Sequence, residues 1–335
     1  MNVKIKDKTI VLNTLSIGYK ERCVIPNINA TINSGELTSL LGANGVGKST
    51  LLRTMTANQP KLDGEIFYHD KELASYTHKE LSKMISIVLT ERVAIKNISV
   101  FELVSFGRSP YTGFWGGVSH QDKEIIKESL RMVGIEHLAE RMVQTLSDGE
   151  RQKAMIAKAL AQQTPIILLD EPTAFLDFPS KVEIMQLLHR LSRLTGKTIF
   201  MSTHDLDLAL QISDRIWLMD GDRGVNTGIP EDLALNGDLS RFFERKGIAF
   251  DPSSGLFRVD TSTSVEVELI VSPEASNRGA MVRKALRRCG VETKERLENS
   301  QYKIEITQSE ILITPRNSEQ ITCSNIEELL NIIVL

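Results

Sequence analysis

The chain has 335 residues, 41% hydrophobic and 25% charged, which is typical of a soluble globular protein with room for two domains. The formal net charge of −3 argues against a nucleic-acid partner, because nucleic-acid-binding proteins usually carry a basic excess. No apolar run approaches the roughly 20 residues of a membrane-spanning helix, and the charged N-terminal segment lacks the apolar stretch of a secretory signal, so we expect any membrane role to come through a partner.

The first fifty residues change from strand patterns to a helix pattern. Strands are predicted at TIVLNTLSIGY (9–19) and ELTSLL (36–41), with a turn at Pro26 and Asn27 between them. From Gly47 the apolar spacing is that of a helix, with one face formed by Leu51, Leu52 and Met55. The order strand, glycine-rich loop, helix is therefore predicted around residue 45.

The middle of the chain is predicted to be mainly helical. A strand, GEIFYHD (64–70), comes first, and within the largely helical stretch 72–150 the segment ISIVL (85–89) is a second strand. After the polar opening at Gln121 and Asp122, a helix should face the core through Ile126, Leu130 and Val133.

Two short apolar runs, IILLD (166–170) and TIFMSTHD (198–205), flank a predicted helix at about 179–194. Such runs, separated by a helix, are typical of parallel strands that are buried on both faces. A further strand, RIWLMD, precedes a glycine-rich stretch at 221–228. We expect a parallel sheet at the centre of this region.

A change in character near residue 250 indicates a domain boundary, and we expect domains at 1–250 and 255–335. The second has a β-α-β-β-α pattern, a small α+β domain whose role the sequence leaves open between dimer contacts, ligand regulation and solubility. Its basic helix segment RKALRR (283–288) is interpreted as a solvated face. The three cysteines, Cys23, Cys289 and Cys323, have no metal-type spacing, so we expect reduced thiols in the cytosol.

The segment GANGVGKST (42–50) fits the phosphate-binding loop G-x-x-x-x-G-K-[ST], with a strand before it and a helix after it. Glycines let successive backbone N–H groups face phosphates, and the new helix presents its positive end to them. Lys48 should reach the β and γ phosphates of ATP, and the Ser49 hydroxyl should ligate Mg²⁺. The predicted phosphate contacts come from the whole loop: Gly42, Ala43, Asn44, Gly45, Val46, Gly47, Lys48, Ser49 and Thr50.

An acidic pair follows the buried strand IILLD. Asp170, at the C-terminal end of that strand, is placed to hold Mg²⁺ directly or through water. Glu171 is the natural general base for an attacking water. An acidic pair alone often marks a solvated strand end, but its position downstream of a phosphate loop favours ATP hydrolysis.

The segment LSDGERQ (146–152) adds a family resemblance: from about Thr9 to residue 250 the chain resembles an ABC ATPase. The resemblance implies an α/β fold, a P-loop NTPase of ABC type with an antiparallel β-subdomain and a helical subdomain. In that family the signature segment, usually LSGGQ, binds the γ-phosphate of ATP held by the other subunit. Ser147 and Gly149 match it, whereas Asp148 replaces a glycine. Independently, Ser147 is predicted to cap a helix continuing from Arg151 to Ala161.

Three smaller matches agree in order and spacing. FLD (175–177) resembles the loop that touches the opposite subunit, with Asp177 as its carboxylate. His204 resembles the switch histidine that senses the γ-phosphate, and we expect it to join Glu171 and Lys48 in catalysis. Tyr19 resembles the aromatic residue that stacks on adenine, although a tyrosine on an early strand is as often core packing.

The lid segment departs from the family pattern. Members of the family carry there a glutamine that meets Mg²⁺ and the permease, and in this chain Thr90 stands in its place as a predicted metal ligand. Glu91 is an alternative ligand, and the sequence leaves both open.

The segment SVFELVSFGRSPYTG (99–113) is similar to a segment of ATPases from importers of ferric siderophores, haem and cobalamin. The resemblance implies a homodimer of ATPase subunits, peripheral on the inner face of the cell membrane. Its partners would be integral-membrane permease subunits and, indirectly, a substrate-binding protein. We expect an iron complex, siderophore or haem, as the transported substrate, with cobalamin as the alternative.

The alternative class is an ABC ATPase that transports nothing and works in DNA repair or translation, and a third interpretation is an exporter subunit. A DNA-repair member would need long coiled coils between Lys48 and Ser147, and the spacing leaves no room for them. A translation-type member would carry two cassettes, and one is present. An exporter subunit shares the chemistry and differs in its partner.

Overall fold

The computed structural model describes residues 7–20, 22–89, 97–112, 117–243, 248–251, 256–259, 265–297 and 300–333. The chain divides into two units, Met1–Phe242 with Ser254–Leu256 and Phe243–Ser253 with Phe257–Leu335. Within the described ranges, every helix is too short or too polar to cross a bilayer.

The first unit is an α/β domain with two sheets. Its strands are β1 (Lys8–Tyr19), β2 (Arg22–Asn33), β3 (Leu37–Gly42), β4 (Asp63–Tyr68), β5 (Lys71–Glu72), β6 (Ile85–Val88), β7 (Ile166–Leu169), β8 (Thr198–Thr203), β9 (Arg215–Asp220) and β10 (Gly224–Gly228). Its helices are α1 (Lys48–Met55), α2 (His78–Met84), α3 (Val100–Ser105), α4 (His120–Met132), α5 (Asp148–Ala161), α6 (Phe178–Thr195), α7 (Leu206–Ile212), α8 (Pro230–Leu235) and α9 (Asp238–Phe243).

The larger sheet has the order β10-β9-β3-β8-β7-β6, and all its strands except β10 are parallel. Strands β7 and β8 are buried along their whole length, which explains their unbroken apolar sequences. The glycine-rich stretch after β9 contains β10, which pairs antiparallel to β9. Because parallel strands end at one edge, the segments after β3, β7 and β8 meet there.

The smaller sheet is antiparallel, with the order β2-β1-β4-β5. The predicted turn at Pro26 and Asn27 is wrong, because both residues lie inside β2. Strand β2 is at the edge of this sheet, where a proline need not donate a ladder hydrogen bond. Asn27 has a φ of 53°, and its N–H donates to Ser16 Oγ at 3.2 Å where the pairing of β1 and β2 is irregular.

Helices α3, α4 and α5 pack together as a helical region beside the larger sheet. The predicted stripe on α4 is confirmed, since Ile126, Leu130 and Val133 are all buried. The helix predicted to continue from Arg151 begins three residues earlier, at Asp148, because Ser147 caps it.

The second unit is a small α+β domain whose described elements are β11 (Ile248–Asp251), β12 (Leu256–Val259), β13 (Val265–Val271), α10 (Ser276–Arg288), β14 (Val291–Lys294), β15 (Tyr302–Ile306), β16 (Ile311–Pro315), β17 (Ile321–Cys323) and α11 (Ile326–Ile333). Its main sheet has the order β14-β13-β15-β16-β17. The predicted β-α-β-β-α pattern lacked β14 and β17, the two short edge strands.

Candidate functional site

The loop 42–47 leaves β3 at the edge of the larger sheet and turns into α1 at Gly47. Gly47 has a φ of 118°, and a methyl group on its Cα would lie 2.7 Å from Val24 Cγ1. Only glycine fits this conformation and this space. The conformation and the space at this position thus explain the glycine that precedes Lys48 in the predicted phosphate-binding loop.

Lys48, the first residue of α1, is buried, with 5% of its surface exposed. Its ammonium donates to Gly42 O at 3.1 Å and to Ala43 O at 3.2 Å. The same nitrogen lies 4.0 Å from Glu171 Oε1. The structure thus places the ammonium of Lys48 close to the carboxylate of Glu171, the predicted base.

Asp170 directly follows β7, and its N–H donates to Val88 O at 2.8 Å on the neighbouring strand. Asp170 and Ser49 line one cavity of about 320 Å³. A carboxylate and a hydroxyl are hard oxygen ligands, which suit Mg²⁺. The chemistry and placement of these two side chains fit the predicted metal role.

Glu171 has a φ of 47°, a left-handed conformation that is uncommon for a residue with a side chain. Its Oε1 lies 2.5 Å from Nε2 of His204, which follows β8. With Glu171 ionised, the ring nitrogen is the donor. Sequence reasoning missed one neighbour, the Ser202 hydroxyl, which contacts both acidic residues. The only feature of the sequence that could have indicated this role for Ser202 is a small polar residue inside the largely apolar segment TIFMST.

Tyr19 ends β1 beside the phosphate loop. Its hydroxyl accepts a hydrogen bond from Thr50 Oγ1 at 3.2 Å, and 46% of the residue is exposed. The ring is therefore not part of the hydrophobic core, and its exposed face is available for stacking.

The signature segment opens α5. Ser147 Oγ accepts from the Glu150 N–H at 3.2 Å, and the Ser147 N–H donates to Glu150 Oε2 at 2.8 Å, a reciprocal capping box. This backbone hydrogen bond is the main cause that lowers the pKa of Glu150. Glu150 stands where the LSGGQ pattern has its glutamine, a second acidic departure beside Asp148 that the sequence reasoning did not use.

Asp177 caps α6, where its Oδ1 accepts from the Ser180 N–H at 3.3 Å. Gly149 faces the same helix, since a methyl group on it would lie 3.5 Å from Ser180 Oγ. Two aromatic rings flank Asp177, and Phe175 and Phe178 are 73% and 67% exposed. The signature segment and the FLD segment thus form a group of their own around the start of α6.

Thr90 and Glu91, the two candidate lid ligands, lie outside the described residues. The segment similar to importer ATPases forms α3 and a following turn. Phe106 and Tyr111 in this segment are both exposed.

The sequence of this chain is similar to that of a known family and of several known proteins. The family described as ABC transporter matches residues 25–174. An uncharacterized ABC transporter ATP-binding protein of Methanocaldococcus jannaschii is 38% identical over 245 residues, 73% of this chain and 84% of that protein. The iron(3+)-hydroxamate import ATP-binding protein FhuC of Bacillus subtilis is 40% identical over 59% of this chain and 74% of its own length. The ferric enterobactin transport ATP-binding protein FepC of Escherichia coli is 34% identical over 72% and 89%.

Solved structures agree on the fold. The protein cbiO1 of Clostridium perfringens, part of the ABC transporter complex cbiONQ, is 29% identical with a TM-score of 0.63, covering 72% of this chain and 96% of that one. An ATP-binding cassette solved as a dimer with ADP and Pi is 29% identical with a TM-score of 0.58, covering 66% and 98%.

Proposed function

This chain belongs to the ABC transporter ATP-binding family, and from that premise we propose that it energises the import of an iron complex, siderophore or haem, through a separate membrane permease. The family membership itself makes the chain an ATP-hydrolysing subunit. The observation that carries the proposed substrate is the match, at 34–40% identity, to ATP-binding proteins named for import of iron(3+)-hydroxamate and ferric enterobactin.

The segment 99–113 supports the importer assignment. It places Phe106 and Tyr111 on the surface, where exposed aromatic side chains can contact a partner. We assign this surface to the permease. The chain would then lie in the cytoplasm against the inner face of the membrane, and a substrate-binding protein would act on the permease from the other side.

The nucleotide would bind along the edge of the larger sheet. The loop Gly42–Thr50 supplies backbone N–H groups for the phosphates, and Lys48 supplies the cation. Tyr19 presents its exposed ring for the adenine, and its bond to Thr50 fixes that ring relative to α1.

Ser49 and Asp170 would hold Mg²⁺, with Thr90 as a further proposed ligand. When bound, the ion neutralises phosphate charge. The hydroxyl of Ser202 donates to Asp170 Oδ1 at 2.7 Å and so orients the proposed metal-binding carboxylate.

Glu171 is the proposed general base, which takes the proton of the attacking water. His204 donates to Glu171 Oε1, so it fixes the direction of the carboxylate and can respond to a phosphate arriving beside it. Lys48 Nζ lies 4.0 Å from the same oxygen and partly offsets its negative charge.

A second copy of the chain would complete each site. Ser147 caps α5, and Gly149 lies in its first turn. This helix has 14 residues, and its N-terminus favours an anion. We propose that Ser147 and Gly149 meet the γ-phosphate held by the other subunit, and that Asp177 contacts that subunit as well. Residues 255–335 stay a proposed accessory domain.

The test is uptake in cells that lack the gene, complemented with wild-type protein or with Glu171→Gln. Radiolabelled ferric siderophore, haem and cobalamin are supplied in separate arms. We expect wild type, and not Glu171→Gln, to restore uptake of one iron complex. Restoration of cobalamin uptake alone would replace the proposed substrate, and uptake unaffected by the deletion in all three arms would contradict the import role.

A further inference from the structure

Ser202 lies at the end of β8 with none of its surface exposed, directly beside the acidic pair. Its Oγ lies 2.7 Å from Asp170 Oδ1 and 2.9 Å from the Glu171 N. A serine hydroxyl has one proton, and an ionised carboxylate can only accept. The hydroxyl therefore donates to Asp170 and accepts from the Glu171 N–H, so both bonds have a fixed direction.

The parallel register creates this contact. Leu169 of β7 pairs with Met201 of β8, so the next residue on each strand, Asp170 and Ser202, are neighbours. Burial in this sheet does not by itself give a hydroxyl group hydrogen-bond partners. Thr38 Oγ1, buried on the adjacent β3, has no hydrogen-bond partner within the described part of the chain. The two bonds of Ser202 are thus a specific arrangement.

The second bond acts at a strained residue. Glu171 has a φ of 47°, a backbone conformation that residues with side chains rarely adopt and that persists where the surroundings hold it. On one side the Glu171 N–H is held by Ser202, and on the other the Glu171 carbonyl accepts from the Ala174 N–H at 3.0 Å. This bend sends the Glu171 side chain toward His204 and Lys48.

We infer that Ser202 is a positioning residue for ATP hydrolysis: one hydroxyl orients the carboxylate of Asp170 and fixes the backbone from which Glu171 reaches its partners. The inference rests on the proposed roles of Asp170 and Glu171 and is independent of the transported substrate. Ser202 touches neither nucleotide nor water in this role, so its loss should affect turnover and metal dependence more than nucleotide affinity.

The experiment compares Ser202→Thr with Ser202→Val in the full-length protein, because these side chains have nearly the same shape and differ in the hydroxyl. We expect Ser202→Thr to keep turnover close to wild type. Ser202→Val should lose about tenfold to a hundredfold in kcat, the effect of a small misplacement of catalytic groups, with the KM for ATP nearly unchanged. Thermal unfolding of both variants without nucleotide checks that they are equally folded.

A second measurement does not depend on turnover. Binding of trinitrophenyl-ATP is followed while Mg²⁺ is titrated, and Ser202→Val should need several-fold more Mg²⁺ for half-maximal binding. Ser39→Ala is the matched control, since it removes a buried hydroxyl of β3 that bonds Ser213 Oγ at 2.6 Å, away from the acidic pair. It should leave the Mg²⁺ midpoint unchanged.

Equal kcat and equal Mg²⁺ midpoints in Ser202→Thr and Ser202→Val would overturn the inference while leaving the roles of Asp170 and Glu171 intact. A loss of activity in Ser202→Val that matches Ser39→Ala and follows the loss of thermal stability would overturn it as well. Wild-type protein without Mg²⁺-dependent hydrolysis would instead remove the proposed roles of Asp170 and Glu171, and the inference with them.

Discussion

Glu171 combines an uncommon backbone conformation with side-chain contacts to His204 and Lys48. The left-handed bend directs the Glu171 carboxylate toward His204 Nε2. Lys48 Nζ lies 4.0 Å from the same carboxylate oxygen. Strained residues of this kind are frequent where side-chain direction serves chemistry. The proposed base is therefore held by backbone as well as side-chain contacts.

Replacement of this base should separate hydrolysis from binding. Glu171→Gln keeps the size and the hydrogen bonding but cannot accept the proton, so we expect hydrolysis to fall by roughly 10²–10⁴ while ATP still binds. Lys48→Ala should instead lower ATP affinity, because it removes the cation of the phosphate loop. Steady-state hydrolysis and fluorescence binding distinguish the two, and turnover of Glu171→Gln at the wild-type rate would remove Glu171 from the role.

At the scale of single residues, the sequence predicts functional residues that belong to a recognisable motif. It does not predict residues whose role depends on contacts that form only in the folded chain. Lys48, Ser49, Asp170 and Glu171 stand in recognisable patterns. Ser202 stands in no pattern, and its contacts arise from the register of two strands about thirty residues apart. The exposure of Tyr19 likewise argues against core packing, one of the two interpretations that the sequence left open, and stacking stays a prediction.

Helix α5 is fixed at both ends, by the capping box at Ser147 and by a buried arginine at its C-terminus. Arg108 donates from Nε to Asp122 Oδ1 at 2.7 Å, and from Nη1 to Ala161 O at 2.7 Å. Gly107 allows this approach, because a methyl group there would lie 2.3 Å from Lys158 O. The segment that includes Phe106 is thus tied to the helix that begins with the signature.

Loss of this arginine should destabilise the first unit. In Arg108→Met the carboxylate of Asp122 and the carbonyl of Ala161 lose their donor, and breaking one side of a buried pair costs about 3 kcal/mol or more. Arg131→Met is the control, since its exposed pairs with Glu128 and Glu136 should matter little. Denaturant unfolding measures both, and equal losses would contradict the structural role of Arg108.

The same pair predicts a dependence of stability on pH. Hydrogen bonds from Ser119 and then from Arg108 hold the pKa of Asp122 below its ordinary value. A carboxyl whose pKa is lowered by folding stabilises the protein fully above its unfolded pKa of about 4 and loses this contribution as pH falls through the folded pKa. The stability difference between wild type and Asp122→Asn should therefore be widest near neutral pH and narrow below about pH 4. A difference that stays constant with pH would exclude this linkage.

Elements with a strong apolar period were predictable, and short edge strands were not. Strands β7 and β8 and helix α4 follow from continuous or 3.6-residue apolar patterns. Strands β14 and β17 have three or four residues and pair on one side only, so their sequences carry little signal. The strand through Pro26 is possible because it lies at a sheet edge, a fact of topology that local propensity cannot contain.

At the scale of the whole molecule, ATP should join two copies of the chain. Ser147 caps α5, and Gly149 in the first turn of α5 lies beside the start of α6, which Asp177 caps. Lys48, Asp170 and Glu171 lie instead at the edge of the larger sheet. With hydrolysis blocked in Glu171→Gln, ATP should shift the protein to a dimer in size-exclusion chromatography. Ser147→Arg, added to that variant, should abolish the shift by crowding the N-terminus of α5. A fully active protein that stays monomeric with ATP would contradict the shared site.

The two aromatic rings beside Asp177 add a thermal consequence. Phe175 and Phe178 leave most of their surface in water. If assembly of the ATP-bound pair covers them, it carries a negative heat-capacity change, and the hydrophobic part of its driving force weakens on cooling. The free energy of dimer formation would then be least favourable at low temperature. The transport rate would therefore fall on cooling more steeply than the rate of the chemical step alone.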